Sequence, residues 1–194
     1  MSNFIFKESV LYPEDKRINA TNLKVFAKYY EIKYNICKSI NPKKIAEIGV
    51  RAGYSGWSFL QAAPTAEYIG LDANNGKHGG RGGQDGCYKK WAKKLLSPYN
   101  YSLIDIDTQK AEKLDLTEID FFHVDGDHSV IGVQHDLDLA FPTLSKNGVI
   151  LVDDVDYLPK VKEGVDSWLK KMKGKVTTKY VKSYRGELLI HQIG

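Results

Sequence analysis

Carboxylates directly follow two apolar stretches of the sequence, and they are the residues with the clearest potential for chemistry. Asp125 and Asp127 follow the run IDFFHV, and Asp153 and Asp154 follow the run GVILV. Like charges that are held close together repel, and each carboxylate loses solvation as it nears an apolar interior. A positively charged group is therefore expected among these acids.

A glycine-containing turn, EIGVRAGYSG at residues 47–56, could approach a ligand closely. Gly49 and Gly53 allow the backbone to turn sharply, and the helix that follows presents free N–H groups. A dinucleotide site would have glycine where this sequence has Arg51, which disfavours that ligand. Asp72 ends the next apolar run, where an acid can accept hydrogen bonds from ribose hydroxyls. The combination predicts a nucleoside site, and the alternative is a turn without a ligand.

The elements that must position these residues are short apolar runs that alternate with amphipathic stretches from residue 43 onward. The runs are KKIAEIGV, AEYIGLDA, YSLIDID, IDFFHVDG and GVILVDDV. Such alternation is typical of parallel βαβ units. KVTTKYVKSY and ELLIHQI, joined by a turn at Arg185 and Gly186, predict a closing antiparallel hairpin. The predicted fold is α/β: a doubly wound, mostly parallel, seven-stranded sheet whose reversed strand lies at the edge.

The ligand site of such a sheet lies at the carboxyl ends of its strands, and all four carboxylates lie at such ends. We expect one domain over residues 43–194 and an N-terminal helical extension over residues 1–42. A helix is predicted within residues 19–40, with Asn19 or Thr21 as its cap. The extension could cover the site or form a homodimer contact. The glycine-rich segment 76–86 could be a lid over the site or a surface insertion.

From residue 43 to the end, the sequence resembles the class I S-adenosylmethionine-dependent methyltransferases, on the E-x-G-x-x-x-G turn and the acids that follow it. The resemblance implies that Glu47, Gly49 and Gly53 hold the methionine part of the cofactor. It also implies that Asp72 holds the ribose. The acid in D-T-Q after the third strand, Asp107, would meet the adenine amino group, with Asp105 as the second choice.

The stretches V-D-G-D-H-S and L-V-D-D-V resemble those of metal-dependent O-methyltransferases, namely the macrocin-type sugar enzymes and, more distantly, catechol O-methyltransferase. This resemblance implies that Asp125, Asp153 and Asp154 bind one divalent cation, Mg²⁺ or Mn²⁺, beside a hydroxyl of a sugar or another small molecule. Oxygen ligands do select hard cations. Successive strand residues point to opposite faces, so Asp153 and Asp154 can both bind only where the chain leaves the sheet.

His128, three residues after Asp125, is the first candidate for a catalytic base, and Asp127 is the second. An imidazole with a pKa near neutrality suits that role. The alternative for His128 is a polar residue that opens the next helix or orients a ligand. His123 lies inside an apolar strand and is predicted to be a hydrogen-bonded core residue.

Composition restricts the class of partner. The chain has 194 residues, a net charge of +4 and two cysteines without metal-type spacing. These values favour a cytoplasmic protein of a reducing compartment, with no membrane segment and no strongly basic nucleic-acid surface. A methyltransferase for nucleic acid is the alternative enzyme, disfavoured because the chain lacks an N/D-P-P-Y/F sequence and a Pro-Cys nucleophile. A non-catalytic cofactor-binding protein of the same fold is the alternative from another class.

Overall fold

The computed structural model describes residues 4–15, 17–75 and 86–193. Within these ranges helices and strands alternate along the chain, in the order α1 (Leu23–Ile40), β1 (Lys44–Ile48), α2 (Tyr54–Ala62), β2 (Glu67–Asp72), α3 (Cys87–Leu96), β3 (Tyr101–Asp105), β4 (Ile119–Val124), α4 (Val130–Ala140), β5 (Leu144–Val152), α5 (Pro159–Lys171), β6 (Val176–Val181) and β7 (Glu187–Gln192). Short 3₁₀ helices cover Glu8–Val10, Thr108–Lys110 and Phe141–Thr143.

The seven strands form one sheet in the order β3-β2-β1-β4-β5-β7-β6, which confirms the predicted fold class. β1 pairs in parallel with β2 and β4, and the chain order reverses at this strand. That reversal is the topological switch point at which ligands of such sheets bind. In the part of the chain that the structure describes, no helix has the length and apolar character needed to cross a bilayer.

The C-terminal hairpin forms as predicted, but its reversed strand does not lie at the edge of the sheet. β7 is antiparallel to both β5 and β6, so it lies inside and β6 forms the edge. The side chains explain the order. β7 contributes the buried Leu189 and Ile190, whereas no residue of β6 is buried. A polar strand can border solvent, but an apolar one needs a neighbour on each side.

Helices cover both faces of the sheet. On one face α1 and α2 pack through residues such as Cys37 and Phe59 against Phe121 of β4. On the other face α4 and α5 pack against β4 and β5, with Trp168 fully buried. The central strands β1, β2, β4 and the second half of β5 are largely buried on both sides, which accounts for their nearly continuous apolar runs.

The N-terminal residues form a third, aromatic cluster, in which Phe6 stacks on Tyr30 with ring centroids 4.5 Å apart. Helix α1 begins at Leu23 with Asn22 at the cap position, so the prediction of Asn19 or Thr21 was wrong. Asn19 instead accepts hydrogen bonds from both the backbone and the hydroxyl of Thr21, and so closes the turn before the helix.

Candidate active site

A cavity of about 650 Å³ opens where the carboxyl ends of the central strands meet. Pockets for small molecules commonly range from about 300 to 1,000 Å³. Ile48, Leu71, Asp125 and Asp154 mark the ends of β1, β2, β4 and β5 at its wall. The site therefore lies at the predicted edge of the sheet.

The glycine turn after β1 forms one side of this cavity. Gly49 has a φ of +92°, and a Cβ atom there would lie only 1.9 Å from the carbonyl oxygen of Asp125. Only glycine allows the turn to approach the end of β4 so closely. The turn and the acids after β4 are thus held against each other by backbone contact.

Asp72 lies in the cavity wall, and the neighbouring backbone fixes the orientation of its carboxylate. One oxygen accepts a hydrogen bond from the N–H of Arg51 at 2.8 Å, and the other accepts one from the N–H of Asn74 at 2.6 Å. Arg51 can donate in this way because it takes a left-handed conformation, with φ at +48°. The two bonds leave lone pairs on both oxygens, so the carboxylate can still accept hydroxyl groups of a ligand.

The side chain of Arg51 connects the glycine turn to the N-terminal segment. Its guanidinium makes a bidentate pair with the buried Asp15, at 2.8 and 2.9 Å, and also donates to the hydroxyl of Tyr88 at 2.9 Å. Burial would raise the pKa of Asp15, but Arg51 outweighs burial and holds that pKa below its usual value. The residue that replaces the dinucleotide-type glycine therefore attaches residues 4–15 to the site.

Glu47 is buried and does not line the cavity, whereas the next residue, Ile48, does. Its carboxyl group accepts a hydrogen bond from Tyr68 and lies 2.8 Å from Nδ1 of His123. Burial raises the pKa of Glu47 well above its usual value. The role expected for Glu47 in cofactor binding stays a prediction, and the contacts of its side chain do not support it.

Gly53 caps α2 with φ at +78°, and a Cβ atom there would lie 3.1 Å from the Cβ of Ala92. Its position serves the packing of α2 against α3. Gly49, by contrast, lines the cavity directly. The role of Gly53 toward the cofactor stays a prediction.

The acids near the end of β3 lie beside the cavity. Asp107 pairs with Lys110 at 3.2 Å, and the cavity wall is formed by its neighbours Ile106 and Thr108. Asp105 is exposed and pairs with Lys89 and Asn74. The adenine contact of Asp107, with Asp105 as second choice, stays a prediction.

Asp125, His128 and Asp154 converge at the far side of the cavity, where each offers one ligand atom within 4.8 Å of the others. Nε2 of His128 lies 3.4 Å from the Asp125 carboxylate and 3.9 Å from that of Asp154. Burial would lower the pKa of His128, but the two acids outweigh burial and raise it. Burial and the nearby Asp153 and Asp125 raise the pKa of Asp154 to about 7.

A guanidinium neutralises Asp154 from the loop between β6 and β7. Nη1 of Arg185 lies 2.9 and 3.1 Å from the two oxygens of Asp154. The same guanidinium stands over the ring of Tyr157, 4.6 Å from its centroid. Asp154 has φ at +60°, a left-handed conformation that carries strain in a residue other than glycine and turns its side chain toward the cavity.

Asp153 differs from the predicted arrangement. Its carboxylate lies 3.1 Å from Nζ of Lys33 and accepts a hydrogen bond from Tyr29, beneath the cavity. The chain does leave the sheet at this point, but the two neighbouring side chains still diverge, as the alternation of a strand requires. The structure therefore groups Asp125 and Asp154 with His128, and it places Asp153 in a second cluster.

This second cluster is buried and has its own cation. His123, Asp153 and Glu187 lie close enough together to suggest a metal site, but Nζ of Lys33 stands among them. It is 2.9 Å from Nε2 of His123 and 3.2 Å from Glu187. The prediction that His123 is a hydrogen-bonded core residue is correct.

Sequence reasoning missed both cations that neutralise the neighbouring aspartates. A signal for Lys33 exists, because it lies three or four residues from Tyr29, Tyr30, Ile36 and Cys37 on the buried stripe of α1. Arg185 lies in a loop, where no periodicity marks a residue as buried.

The remaining predictions fall at the rim of the site. Asp127 lines the cavity, and its carboxylate accepts the N–H of Ser129 at 2.7 Å as the chain enters α4. Of the glycine-rich segment 76–86, which could be a lid or a surface insertion, only Gly86 belongs to the described residues, and it caps α3.

Residues 46–155 match a family model described as a methyltransferase domain. This match spans more than half of the chain and contains the glycine turn and all four carboxylates. The chain therefore belongs to this methyltransferase family, within the class I S-adenosylmethionine-dependent methyltransferases.

Solved structures of methyltransferases have the same fold. The SAH-bound methyltransferase PaMTH1 of Podospora anserina superposes with a TM-score of 0.67 at 16% identity, over 96% of this chain and 84% of its own. The O-methyltransferase TomG of Streptomyces achromogenes, in complex with SAM, gives 0.64 at 16% identity, over 87% and 81%. The SAH complex of an O-methyltransferase from Bacillus cereus gives 0.64 at 14% identity, over 95% and 86%.

Among curated sequences, the uncharacterized protein y4gI of Sinorhizobium fredii is 26% identical over 124 residues, which are 61% of this chain. The aligned part makes up 14% of that relative's length.

Proposed function

We propose that this protein transfers the methyl group of S-adenosylmethionine to a hydroxyl of a sugar or another small hydroxylated molecule. The observation that carries the proposal is the single cavity wall that joins the glycine turn and Asp72 to the cluster of Asp125, His128 and Asp154. A donor held at one side would thus present its methyl group to an acceptor at the other. The solved O-methyltransferases with this fold, two of which hold SAM or SAH, add support.

On the cofactor side, the chain offers a carboxylate in a fixed orientation and a close backbone turn. Asp72 would accept the ribose hydroxyls, and the backbone at Gly49 would lie against the methionine part. Ile106 and Leu71 form an apolar part of the cavity wall, against which the adenine base of the cofactor would pack. Alignment of donor and acceptor contributes a large share of the rate in such transfers.

On the acceptor side, His128 would act as the base. Its Nε2 faces the carboxylates of Asp125 and Asp154, so a proton taken from the acceptor hydroxyl would be stabilised on the imidazole by both. Asp125 also orients the ring, as a carboxylate beside a catalytic histidine commonly does. Asp127 remains the second candidate, although its hydrogen bond to Ser129 gives it a role in opening α4.

A divalent cation, Mg²⁺ or Mn²⁺, fits the same cluster. Asp125 and Asp154 would hold it, because Mg²⁺ is commonly bound by one or two carboxylates together with waters and substrate oxygens. Such a cation lowers the pKa of a hydroxyl that it binds. Arg185 competes for Asp154, so the cation would have to displace part of that ion pair.

The proposal is tested by incubating the protein with radiolabelled S-adenosylmethionine and a panel of sugars, catechols and other polyols. The assay is run in Mg²⁺, in Mn²⁺ and in excess chelator. We expect label on at least one acceptor, loss of transfer in chelator, and its return with either cation. Full activity in chelator would remove the cation from the mechanism and leave His128, oriented by Asp125, as the base.

Binding of Mn²⁺, followed by electron paramagnetic resonance, tests the ligands separately. Asp125→Asn and Asp154→Asn should weaken Mn²⁺ binding, whereas Asp153→Asn should not. Equal loss in all three variants would restore the three-aspartate set expected from the sequence.

We also propose a cytoplasmic location. Cys37 and Cys87 are both free thiols, which is typical of proteins in a reducing compartment.

A further inference from the structure

Arg17 lies in the cavity wall with donors that the described residues leave unsatisfied. Its Nη2 donates one weak hydrogen bond, of 3.5 Å, to the hydroxyl of Tyr30, and its buried Nε makes none. Asp15 lies two residues earlier and could form an ion pair with Arg17, but its carboxylate pairs with Arg51 instead. In the described ranges 4–15, 17–75 and 86–193, no carboxylate forms an ion pair with Arg17.

Unsatisfied donors of this kind favour the binding of a ligand. A buried donor without a partner costs free energy, and a guanidinium meets that need best with a carboxylate or phosphate, which can bind two of its N–H groups at once. Glu14 also lines the cavity, but it is exposed and accepts a hydrogen bond from Tyr12.

The shared contact of Arg17 and Arg185 with Phe26 limits how far Arg17 lies from the acceptor side of the cavity. Cζ of Arg17 and Cζ of Arg185 each lie 5.9 Å from the centroid of the Phe26 ring, so the two guanidinium groups are at most twice that distance apart. Arg185 contacts Asp154 directly. A molecule that spans this distance could bind Arg17 with an anionic group and reach Asp154 and His128 with a hydroxyl.

Exposed aromatic rings stand beside this position. Tyr157 and Tyr184 are each 52% exposed, with ring centroids 6.3 Å apart, and Tyr157 lines the cavity. Flat apolar surface of this kind can pack against the carbon face of a sugar or an aromatic ring.

We infer that the acceptor carries a carboxylate or phosphate group that binds Arg17, while its hydroxyl lies at His128 and its ring lies on Tyr157. This inference rests on the proposed function and narrows its substrate class to anionic hydroxylated molecules. The methionine part of the cofactor also has a carboxylate, so the experiment must separate the two sources.

The first measurement is binding of inorganic phosphate to the full-length protein saturated with S-adenosylhomocysteine, followed by the thermal midpoint at constant ionic strength. We expect a saturable rise of the midpoint in the wild type and a loss of about 10- to 100-fold in phosphate affinity in Arg17→Gln. Lys7→Gln, which removes an exposed charge from the same segment, serves as the control and should behave as the wild type. An equal phosphate response in Arg17→Gln would overturn the inference.

The second measurement compares methyl transfer to matched acceptors, D-glucose with D-glucuronate and catechol with 3,4-dihydroxybenzoate. The wild type should prefer the acid of a pair in kcat/KM, Arg17→Gln should lose that preference, and Arg17→Lys should keep part of it. If Arg17→Gln instead weakens S-adenosylhomocysteine binding and leaves the preference intact, Arg17 serves the cofactor and the inference is wrong. Failure of the wild type to bind S-adenosylhomocysteine would count against the proposed function itself.

Discussion

Replacing Lys33 with methionine should strongly destabilise the protein, because Lys33 is the cation of a buried ion pair. The side chains of Lys33 and Asp153 are 0% and 1% exposed, and their charged atoms lie 3.1 Å apart. Burial would lower the pKa of Lys33, but Asp153 and Glu187 outweigh burial and raise it. Burial would raise the pKa of Asp153, but Lys33 outweighs burial and lowers it. Both residues are therefore charged at neutral pH.

The pKa values of the other ionisable groups of this cluster, Glu187 and His123, are both shifted toward the neutral form. Burial and the charge of Asp153 raise the pKa of Glu187 well above its usual value. Burial and Lys33 lower the pKa of His123 well below its usual value. Lys33→Met would then leave the charge of Asp153 without a partner inside the protein.

Removing one member of a buried pair costs about 3–5 kcal/mol, a large share of the roughly 5–15 kcal/mol that stabilises a typical domain. For a chain of this size, each kcal/mol lowers the melting temperature by roughly 2–4 °C, so a fall of roughly 6–20 °C is expected. Urea unfolding followed by circular dichroism measures the free energy. Lys28→Met, an exposed change on the same helix, is the matched control.

The pH dependence of the folding stability gives a second test of the buried pair. In the wild type the lowered pKa of Asp153 stabilises the fold above the unfolded pKa of about 3.9, and this contribution is lost as pH falls through the folded pKa. In Lys33→Met, burial raises the pKa of Asp153, so the penalty is largest at neutral pH and shrinks toward pH values of about 4. Adding Asp153→Asn should recover most of the loss. A cost no larger than that of Lys28→Met, or a double variant as unstable as the single one, would refute the buried pair.

Three further changes test the site. Asp72→Ala should weaken S-adenosylmethionine binding by roughly 1–3 kcal/mol in titration calorimetry. Asp72→Asn, which removes the charge but keeps the shape of the side chain, is its control. Unchanged affinity in Asp72→Ala would contradict the proposal that Asp72 binds the ribose. His128→Ala should lower kcat by about 10²–10⁴-fold and leave the cofactor Kd unchanged, as measured by steady-state kinetics and calorimetry; full turnover would exclude it as the base. Gly49→Ala should cost at least roughly 3 kcal/mol in urea unfolding, because its Cβ would meet backbone at 1.9 Å. Gly174→Ala has a similar φ of +80° with no atom nearby, so its cost of about 1–2 kcal/mol isolates the strain; equal costs would show that no clash exists.

The sheet could be predicted from the sequence because its central parallel strands, β1, β2, β4 and the second half of β5, are largely buried on both faces and therefore consist of apolar runs. The same reasoning placed Asp72, Asp125 and Asp154 at one edge, since the ends of parallel strands meet there. The order of β6 and β7 was harder to predict. It depends on which hairpin strand has the apolar face, and the buried Ile190 of β7 answers that only once the alternation of each strand is compared.

The positive partners of the acids could not be predicted from local pattern. An ion pair between α1 and the end of β5 joins residues 33 and 153, and no periodicity within either element specifies it. The ion-pair partner of a loop arginine such as Arg185 is even harder to predict from the sequence. The orientation of the Asp153 side chain could not be predicted for the same reason. The alternation of a strand predicts that it diverges from Asp154, but not which of the two side chains faces the cavity.

The two neighbouring aspartates, Asp153 and Asp154, have different surroundings, which suit one to a structural role and the other to a chemical role. Asp153 is neutralised by Lys33 at 3.1 Å within a fully buried cluster, so its charge serves to hold α1 against the end of β5. Asp154 is neutralised by Arg185 at 2.9 Å in the cavity wall, where a ligand can compete for it, and burial and its acidic neighbours raise its pKa to about 7. Asp154, at 1% exposure, is as buried as Asp153, but it lines the cavity beside Asp125 and His128, so it is suited to bind a cation or an acceptor. Asp153 does not line the cavity, so any effect that it has there would act through Tyr29, whose hydroxyl donates to it and which lines the cavity.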